Sequence, residues 1–412
     1  MNAVPGRPTI PDSTLRAVLV FIAIGLYFGP PSFRRTIPPR GQFVALAESF
    51  LRGETSFTIE PGSTLRVGEL IAAPTPNHFY CAYPPLPALL LMPFVWLFGT
   101  AVTIEGFTRS ISVVVVLLID MVLARLPQRM GLAPLPQSTR IMLTAGLAFG
   151  TTIWTNADIG MDWHLAHVVA LAAMLIALWE YAGANRPWLV GACIGLSALS
   201  RPTTMFTCLF FAIEAIRRRE FSKLIGLSIG PLAAIGLLAA YNQARFDSPW
   251  DFAYDRMLLT GEGARLMAMH GQFSMAYIGR NLFWFFAAPP WLIEPHRFPW
   301  IGFDPRGMCM FIASPILLPA LYAAILNWRD PVVRSATIAA LLALIPLLLY
   351  FNTGYWQFGH RFSMDYWPML MILTLFGFRA IGRTAGFTLA VASIAFHGVG
   401  VFLAPVAHLP ID

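Results

Sequence analysis

The sequence predicts an all-α polytopic membrane protein: a bundle of about eleven transmembrane helices, one re-entrant or interfacial helix and two long external loops. Two observations predict the bundle and a third orients it. The chain of 412 residues is 57% hydrophobic and only 12% charged, about half the charged share of a soluble domain. Apolar runs at 15–33, 111–126, 167–182, 224–240, 310–326, 338–351, 369–376 with its flanks, and 387–404 account for the deficit. A stretch near 20 residues is what an α-helix needs to cross the hydrocarbon layer. Arginines and lysines collect in short stretches between the runs, as the positive-inside rule expects. The net charge of +7 therefore reflects topology and gives no signal for nucleic acid.

Taken in order, the run 15–33 is followed by no small-residue cleavage site and reads as a span. Residues 34–106 form the first external loop. Within it, "GQFVALAESFLRG" places Phe43, Leu46, Ala47, Phe50 and Leu51 on one helical face, with Gly53 to stop the helix. That pattern predicts an amphipathic helix lying on the membrane surface. Segment 84–98, opened by "YPPLP", is about 15 residues long and short for a span. Charge parity requires it to return to the external face. The basic clusters at Arg7 and Arg16, Arg125 to Arg140, Arg186, Arg217 to Lys223, Arg329 and Arg334, and Arg379 and Arg383 are assigned to the cytoplasm. This leaves 34–106, 158–163, the surroundings of 201, 242–310 and 352–362 outside, with the N-terminus inside and the C-terminus outside. The whole chain, 1–412, reads as one transmembrane domain. Cys81, Cys193, Cys208 and Cys309 have no metal spacing; a Cys81–Cys309 bridge would need an oxidising compartment.

One stretch stands apart from these runs. "YWQFGHRFSMDYWP", residues 355–368, sets Gln357, His360, Arg361 and Asp365 among aromatic rings between two apolar segments. Polar groups in or near lipid are costly unless paired or in use. A second polar cluster, "GMDWHLAH", opens the run at 167–182 on the same predicted face.

The order of motifs from about residue 40 to 370 carries a resemblance. "SFLRG" is followed by "FYCAYPPLPALLLMPFVWLFG", "DWHLAHVVALAAMLIAL", "GACIGLSALSRPT", "YNQARFDSPWDFAYDRM", "RGMCMFIASPILL" and "WQFGHRFSMDYWPML". Together they resemble bacterial membrane glycosyltransferases of the GT-C superfamily, of the dolichyl-phosphate-mannose and RgtA/B/C/D-like types. The resemblance implies a GT-C-like bundle in the inner membrane. It implies a hexosyl- or pentosyltransferase that takes a sugar from a polyprenyl-phosphate-linked donor to a glycan, lipid or protein acceptor at the external face. It also implies an acidic catalytic base soon after the first span. There the sequence departs from the pattern: "RRTIPPRGQ" has no carboxylate, and Gln42 stands in the corresponding place.

Glycosyl transfer needs a base for the acceptor hydroxyl and a cation for the departing phosphate. The external carboxylates are the pool for the base. Glu69 in "RVGELIAAP", Asp162 and Glu48 are the leading candidates, ahead of Glu54 and Glu60 in a polar stretch. Each has a plainer reading: Glu69 paired with Arg66, Asp162 capping a helix N-terminus, Glu48 as a surface charge. For the phosphate, Arg361 offers bidentate contact and a persistent charge, with His360, Gln357 and Arg201 beside it or on the same face. The alternative is an Arg361–Asp365 pair one turn apart. Trp163 and His167 share a helical face and could line one cavity, with Tyr241, Asn242 and Arg245 contributing from the second loop. Aromatic residues such as Trp163, Tyr355 and Trp356 suit sugar faces and equally suit a membrane interface. No cofactor is implied beyond a candidate divalent ion held by Asp158, Asp162 and His167. A transporter or flippase of lipid-linked sugars, or an inactive relative, is the competing reading. Against it, the polar residues gather at span ends and outer loops; Asp120 in "VLLIDMVL" is the chief exception and reads as a helix-packing or cytoplasm-approaching residue.

Overall fold

The computed structural model describes residues 10–29, 41–59, 69–292, 301–302 and 304–402. Among the described residues seventeen α-helices follow one another. The first half comprises α1 Asp12–Phe28, α2 Gln42–Leu51, α3 Leu86–Phe98, α4 Ile104–Arg129, α5 Gln137–Phe149, α6 Thr152–Ile159, α7 Asp162–Ala182 and α8 Pro187–Ala198. The second comprises α9 Cys208–Arg217, α10 Ser222–Phe246, α11 Gly261–His270, α12 Ile278–Phe286, α13 Met310–Ala313, α14 Leu318–Leu326, α15 Pro331–Leu349, α16 Trp367–Ile381 and α17 Arg383–Phe402. Five of them (α4, α7, α10, α15 and α17) are long and apolar enough to cross a membrane.

The expected count of about eleven spans is not met by uninterrupted helices. Several apolar runs are broken: 137–159 divides at Gly150–Thr151 into α5 and α6, and Arg201–Pro202 separates α8 from a 3-10 turn and α9. Hydropathy windows sum composition and ignore the proline that ends a helix. Large apolar side chains such as Phe21, Trp96, Ile225 and Ile325 are exposed on helix flanks, as a lipid-facing surface requires. A continuous cluster of buried apolar side chains runs from Leu15 to Val401.

Backbone contact between α8 and α10 comes directly from a small-residue pattern. A Cβ on Gly191 would lie 2.6 Å from the Leu227 carbonyl oxygen, and one on Gly230 would lie 1.9 Å from that of Gly191. Only glycine allows this approach, the device by which membrane helices pack closely without a hydrophobic driving force.

The helix predicted to lie on the membrane surface is instead part of the interior. Phe43, Val44, Ala45, Leu46 and Ala47, on every side of α2, are buried, as are Gln42 and Ser49. With only Glu48, Phe50 and Leu51 partly or fully exposed, most of the helix is covered, and the amphipathic pattern misleads because neighbouring protein covers its polar face. Segment 86–98 does form a short helix, α3, with Pro93 inside it.

The loops gather at one end. A three-stranded antiparallel sheet, in the order β1 (Phe57–Thr58), β3 (His78–Cys81), β2 (Leu70–Ala72), occupies the first loop. The second loop docks on it: Leu258 N–H donates to Leu70 O at 2.9 Å, and Ile71 bridges Met257. Gln272, Ser274 and Met308 of the same loop hold the segment 349–359, with Ser274 N–H to Leu349 O at 2.8 Å, Phe351 N–H to Gln272 O at 3.0 Å and Met308 N–H to Gly359 O at 3.1 Å. The start of the segment that looked anomalous in sequence is therefore held by the second loop, and Tyr83 of the first loop packs in the same cluster as Trp356.

Candidate functional site

Arg361 begins a 3-10 turn, Arg361–Asp365, between α15 and α16. It is 4% exposed. Its guanidinium lies over the rings of Trp163, at 5.5 Å, and Phe362, at 5.0 Å. Nε and Nη1 have no hydrogen-bond partner, and among the described residues no carboxylate is in ion-pair distance. The expected alternative, an Arg361–Asp365 pair, does not form. Burial pushes Arg361 down to about 9, Arg201 adds to the effect, and Tyr83, Glu69 and Asp365 oppose it. The group is cationic at neutral pH.

Asp365 belongs to another arginine. Arg201 Nε and Nη2 donate to its oxygens at 2.6 and 2.8 Å, Thr203 Oγ1 donates at 2.5 Å, and His167 Nδ1 lies 3.2 Å away. Burial alone would raise this carboxyl, but Arg201 and His167 hold it well below the ordinary range. The break between α8 and α9 creates the arrangement, because Pro202 ends the helix and leaves Arg201 pointing across at the turn. Arg201, expected on the phosphate, is thus already neutralised. His167 faces this pair; Trp163, one turn earlier, faces Arg361.

Gln357 also has a structural task. Its Nε2 donates to the carbonyls of Arg306, Thr353 and Gly354 at 2.7, 3.0 and 2.6 Å, and its Oε1 accepts from Arg361 N–H at 2.8 Å. With every amide valence engaged, it shapes the loop that carries Arg361. His360 is fully buried and stacked on Phe285, with ring centroids 3.6 Å apart. Burial holds it far below the usual histidine range and so neutral.

Glu69 accepts a 2.6 Å hydrogen bond from Tyr83 Oη. Burial, with the Glu69 charge alongside, keeps the phenol protonated. Tyr83 and Trp356 pack against Ile159, Met161 and Trp163, so the Glu69–Tyr83 pair and the arginine share one aromatic surround. Glu60 and Arg66 lie outside the described residues.

Asp162 caps a helix, though not its own. Its Oδ1 accepts from Phe43 N–H at 2.9 Å, at the start of α2. A Cβ on Gly41 would come within 3.0 Å of that oxygen, so glycine permits the approach. The predicted metal set does not converge: Asp162 serves α2, His167 faces Asp365, and no group of three metal-ligating side chains occurs among the described residues. Glu48 is half-buried on α2.

The second-loop trio forms its own knot. Arg245 donates to Cys81 O at 2.8 Å and to Asn242 Oδ1 at 3.0 Å, and its guanidinium stacks on Tyr241 at 3.7 Å. These contacts tie α10 to β3. Cys81 and Cys309 are both free thiols, so the candidate bridge is absent.

Tyr83, Thr203 and His164 were not singled out from sequence. They earn their places through partners 14, 162 and 192 residues away, and only the second and third of these distances rule out any local signal. An apolar groove of about 600 Å³ runs between α3 and α4, lined by Leu90, Phe94, Thr103, Phe107, Ile111 and Val114.

No family model matches the chain, and no curated protein matches it. Among solved structures, it is similar to the oligosaccharyltransferase of Archaeoglobus fulgidus. Against the form tethered to an acceptor peptide, identity is 13%, the TM-score is 0.47 and 96% of this chain is covered. Against the archaeal oligosaccharyltransferase AglB in complex with an inhibitory peptide and a dolichol-phosphate, identity is 12% and the TM-score 0.44. The chain spans 56% of the length of either structure.

Proposed function

We propose that this protein is a GT-C-type glycosyltransferase that moves a sugar from a polyprenyl-phosphate-linked donor to an acceptor hydroxyl or amide. The observation that carries the reading is the buried Arg361 guanidinium, held on aromatic rings with two donors unused. A buried charge without a counter-ion is costly, and a phosphate supplied by substrate would relieve that cost through charge-assisted hydrogen bonds. Arg361 is the cation available to a phosphate at this turn, since Arg201 beside it is already neutralised by Asp365. Glu69 is the base in this scheme: its carboxylate sits beside the same aromatic wall, and Tyr83 orients it by the 2.6 Å bond. The groove between α3 and α4 takes the isoprenoid tail, and the loop-bearing end faces the exterior of the inner membrane. Transfer moves the acceptor proton to Glu69, forms the acceptor–C1 bond and breaks the C1–O bond, and the polyprenyl phosphate departs with its charge held by Arg361.

The test is transfer of radiolabelled sugar from polyprenyl-phosphate donors by purified protein. Arg361→Ala and Glu69→Gln should each reduce the rate by about 100-fold or more, while Asp162→Asn keeps most of it. Unchanged rates in the first two variants would remove this assignment. Movement of intact donor across vesicles without cleavage would replace it with a flippase.

A further inference from the structure

His164 is fully buried in the first turn of α7, and both of its ring nitrogens are engaged. Met161 N–H donates to Nδ1 at 3.2 Å, so the ring proton resides on Nε2. That nitrogen lies 3.0 Å from the Trp356 carbonyl oxygen and donates to it. The histidine therefore closes the N-terminus of α7, in the manner of a capping-box residue, and clamps a loop 192 residues away.

The clamped residue is unusual. Trp356 has φ of 54°, the left-handed region that bulky side chains avoid. Such a conformation persists only where its surroundings over-determine it, and it concentrates at functional sites. Here the surroundings are His164 on one side and the fully bonded Gln357 amide on the other. An ordinary loop tryptophan has no need of this. The outcome is that the half-buried indole leans on Ile159, Met161 and Trp163, and Trp163 is the ring over which Arg361 lies.

We infer that His164 is a positioning residue, whose Nε2–H holds the strained segment 354–357 so that the Trp356 indole forms a platform for the sugar of the donor. The inference rests on Arg361 as the phosphate-binding cation and adds a division of labour to it. Arg361 reads the phosphate by charge; the His164–Trp356 pair reads the glycosyl group through the apolar C–H face that a pyranose or furanose presents to an aromatic ring. Orientation of the indole, rather than its mere presence, is what the clamp supplies.

The experiment titrates the full-length protein in detergent with citronellyl phosphate and with a panel of citronellyl-phosphoryl hexoses and pentoses. Wild type should bind at least one sugar-bearing member more tightly than the bare phosphate. His164→Phe keeps the ring volume but removes the donor; it should lose that preference by about fivefold, the scale of one hydrogen bond, with bare-phosphate affinity unchanged. His164→Gln, which retains an amide donor near the Nε2 position, should restore most of the preference. Trp356→Gly suits the positive φ of this position and removes the indole; it should reproduce the loss. Amide exchange over 354–357 should rise in His164→Phe and not in His164→Gln. The inference falls if wild type shows no preference, if His164→Phe weakens both ligands equally, or if the preference survives in His164→Phe and Trp356→Gly. Undiminished bare-phosphate binding by Arg361→Ala would instead overturn the phosphate assignment, and the exchange measurement still reports on the clamp.

Discussion

Two buried arginine clusters lie along the same bundle, and they are built on opposite rules. Around Asp120, about 24 Å along α4 from Ile104 at 1.5 Å per residue, charge is balanced. Arg16 and Arg140 pair with Asp120 at 3.0 and 2.9 Å, and Arg140 also meets Asp12 at 2.5 Å. Two arginines and two aspartates thus join α1, α4 and α5, and Asp120 itself is fully buried. Around Arg361 the sum does not close: Asp365 is committed to Arg201, leaving one guanidinium with aromatic faces and no acid. The first arrangement is what a folded membrane protein needs to hold charges in a poor dielectric. The second leaves a buried guanidinium without an acid, and this contrast is what supports the proposal that Arg361 meets a phosphate.

Three measurements sharpen or break that contrast. The largest effect should come from Asp120→Asn, which removes the buried acid that Arg16 and Arg140 share and leaves them only the half-exposed Asp12. Breaking one partner from a buried ion pair costs about 3–5 kcal/mol, and thermal unfolding in detergent would show it; a loss below about 1 kcal/mol would mean water reaches the cluster. Next, Arg361→Leu should leave thermal stability unchanged or slightly raised, because no partner is orphaned, while binding of polyprenyl phosphate is lost by at least tenfold. A destabilisation comparable to Asp120→Asn would show that Arg361 is structural after all. The smallest effect is an acid titration. Asp365 is held below its ordinary value of 3.8, so its contribution is fully present above about pH 4 and fades as the pH falls towards its lower folded value. Over that interval stability should decline by about 1 kcal/mol per pH unit, and Asp365→Asn should flatten the slope.

Much of the site was legible as a location. The stretch 355–368 is conspicuous because lipid-flanked polar residues need partners, and that argument singles out Arg361 as a phosphate-binding candidate while leaving an Arg361–Asp365 pair open. Its neighbours were misassigned wherever the partner was remote. Asp365 looked like the natural i+4 partner of Arg361, yet the 3-10 turn rotates the two apart and Arg201 arrives from 164 residues away. Gln357 looked like a ligand group, and its amide is fully consumed by loop carbonyls. The pattern in α2 was read correctly as helical and wrongly as interfacial, because periodicity reports which face is apolar and says nothing about what covers the other.

The sequence by itself determined that this is a helical membrane protein with its polar chemistry gathered in loops and at helix ends, since hydrophobic content and arginine placement are set by the solvent each segment must meet. Only the tertiary structure decided which charges cancel and which does not. That outcome depends on pairings such as Arg201–Asp365 and His164–Trp356, where packing brings together groups that share no local pattern. Whether a buried cation is a brace or a binding site turns on a few ångströms of separation, and no spacing along the chain encodes it.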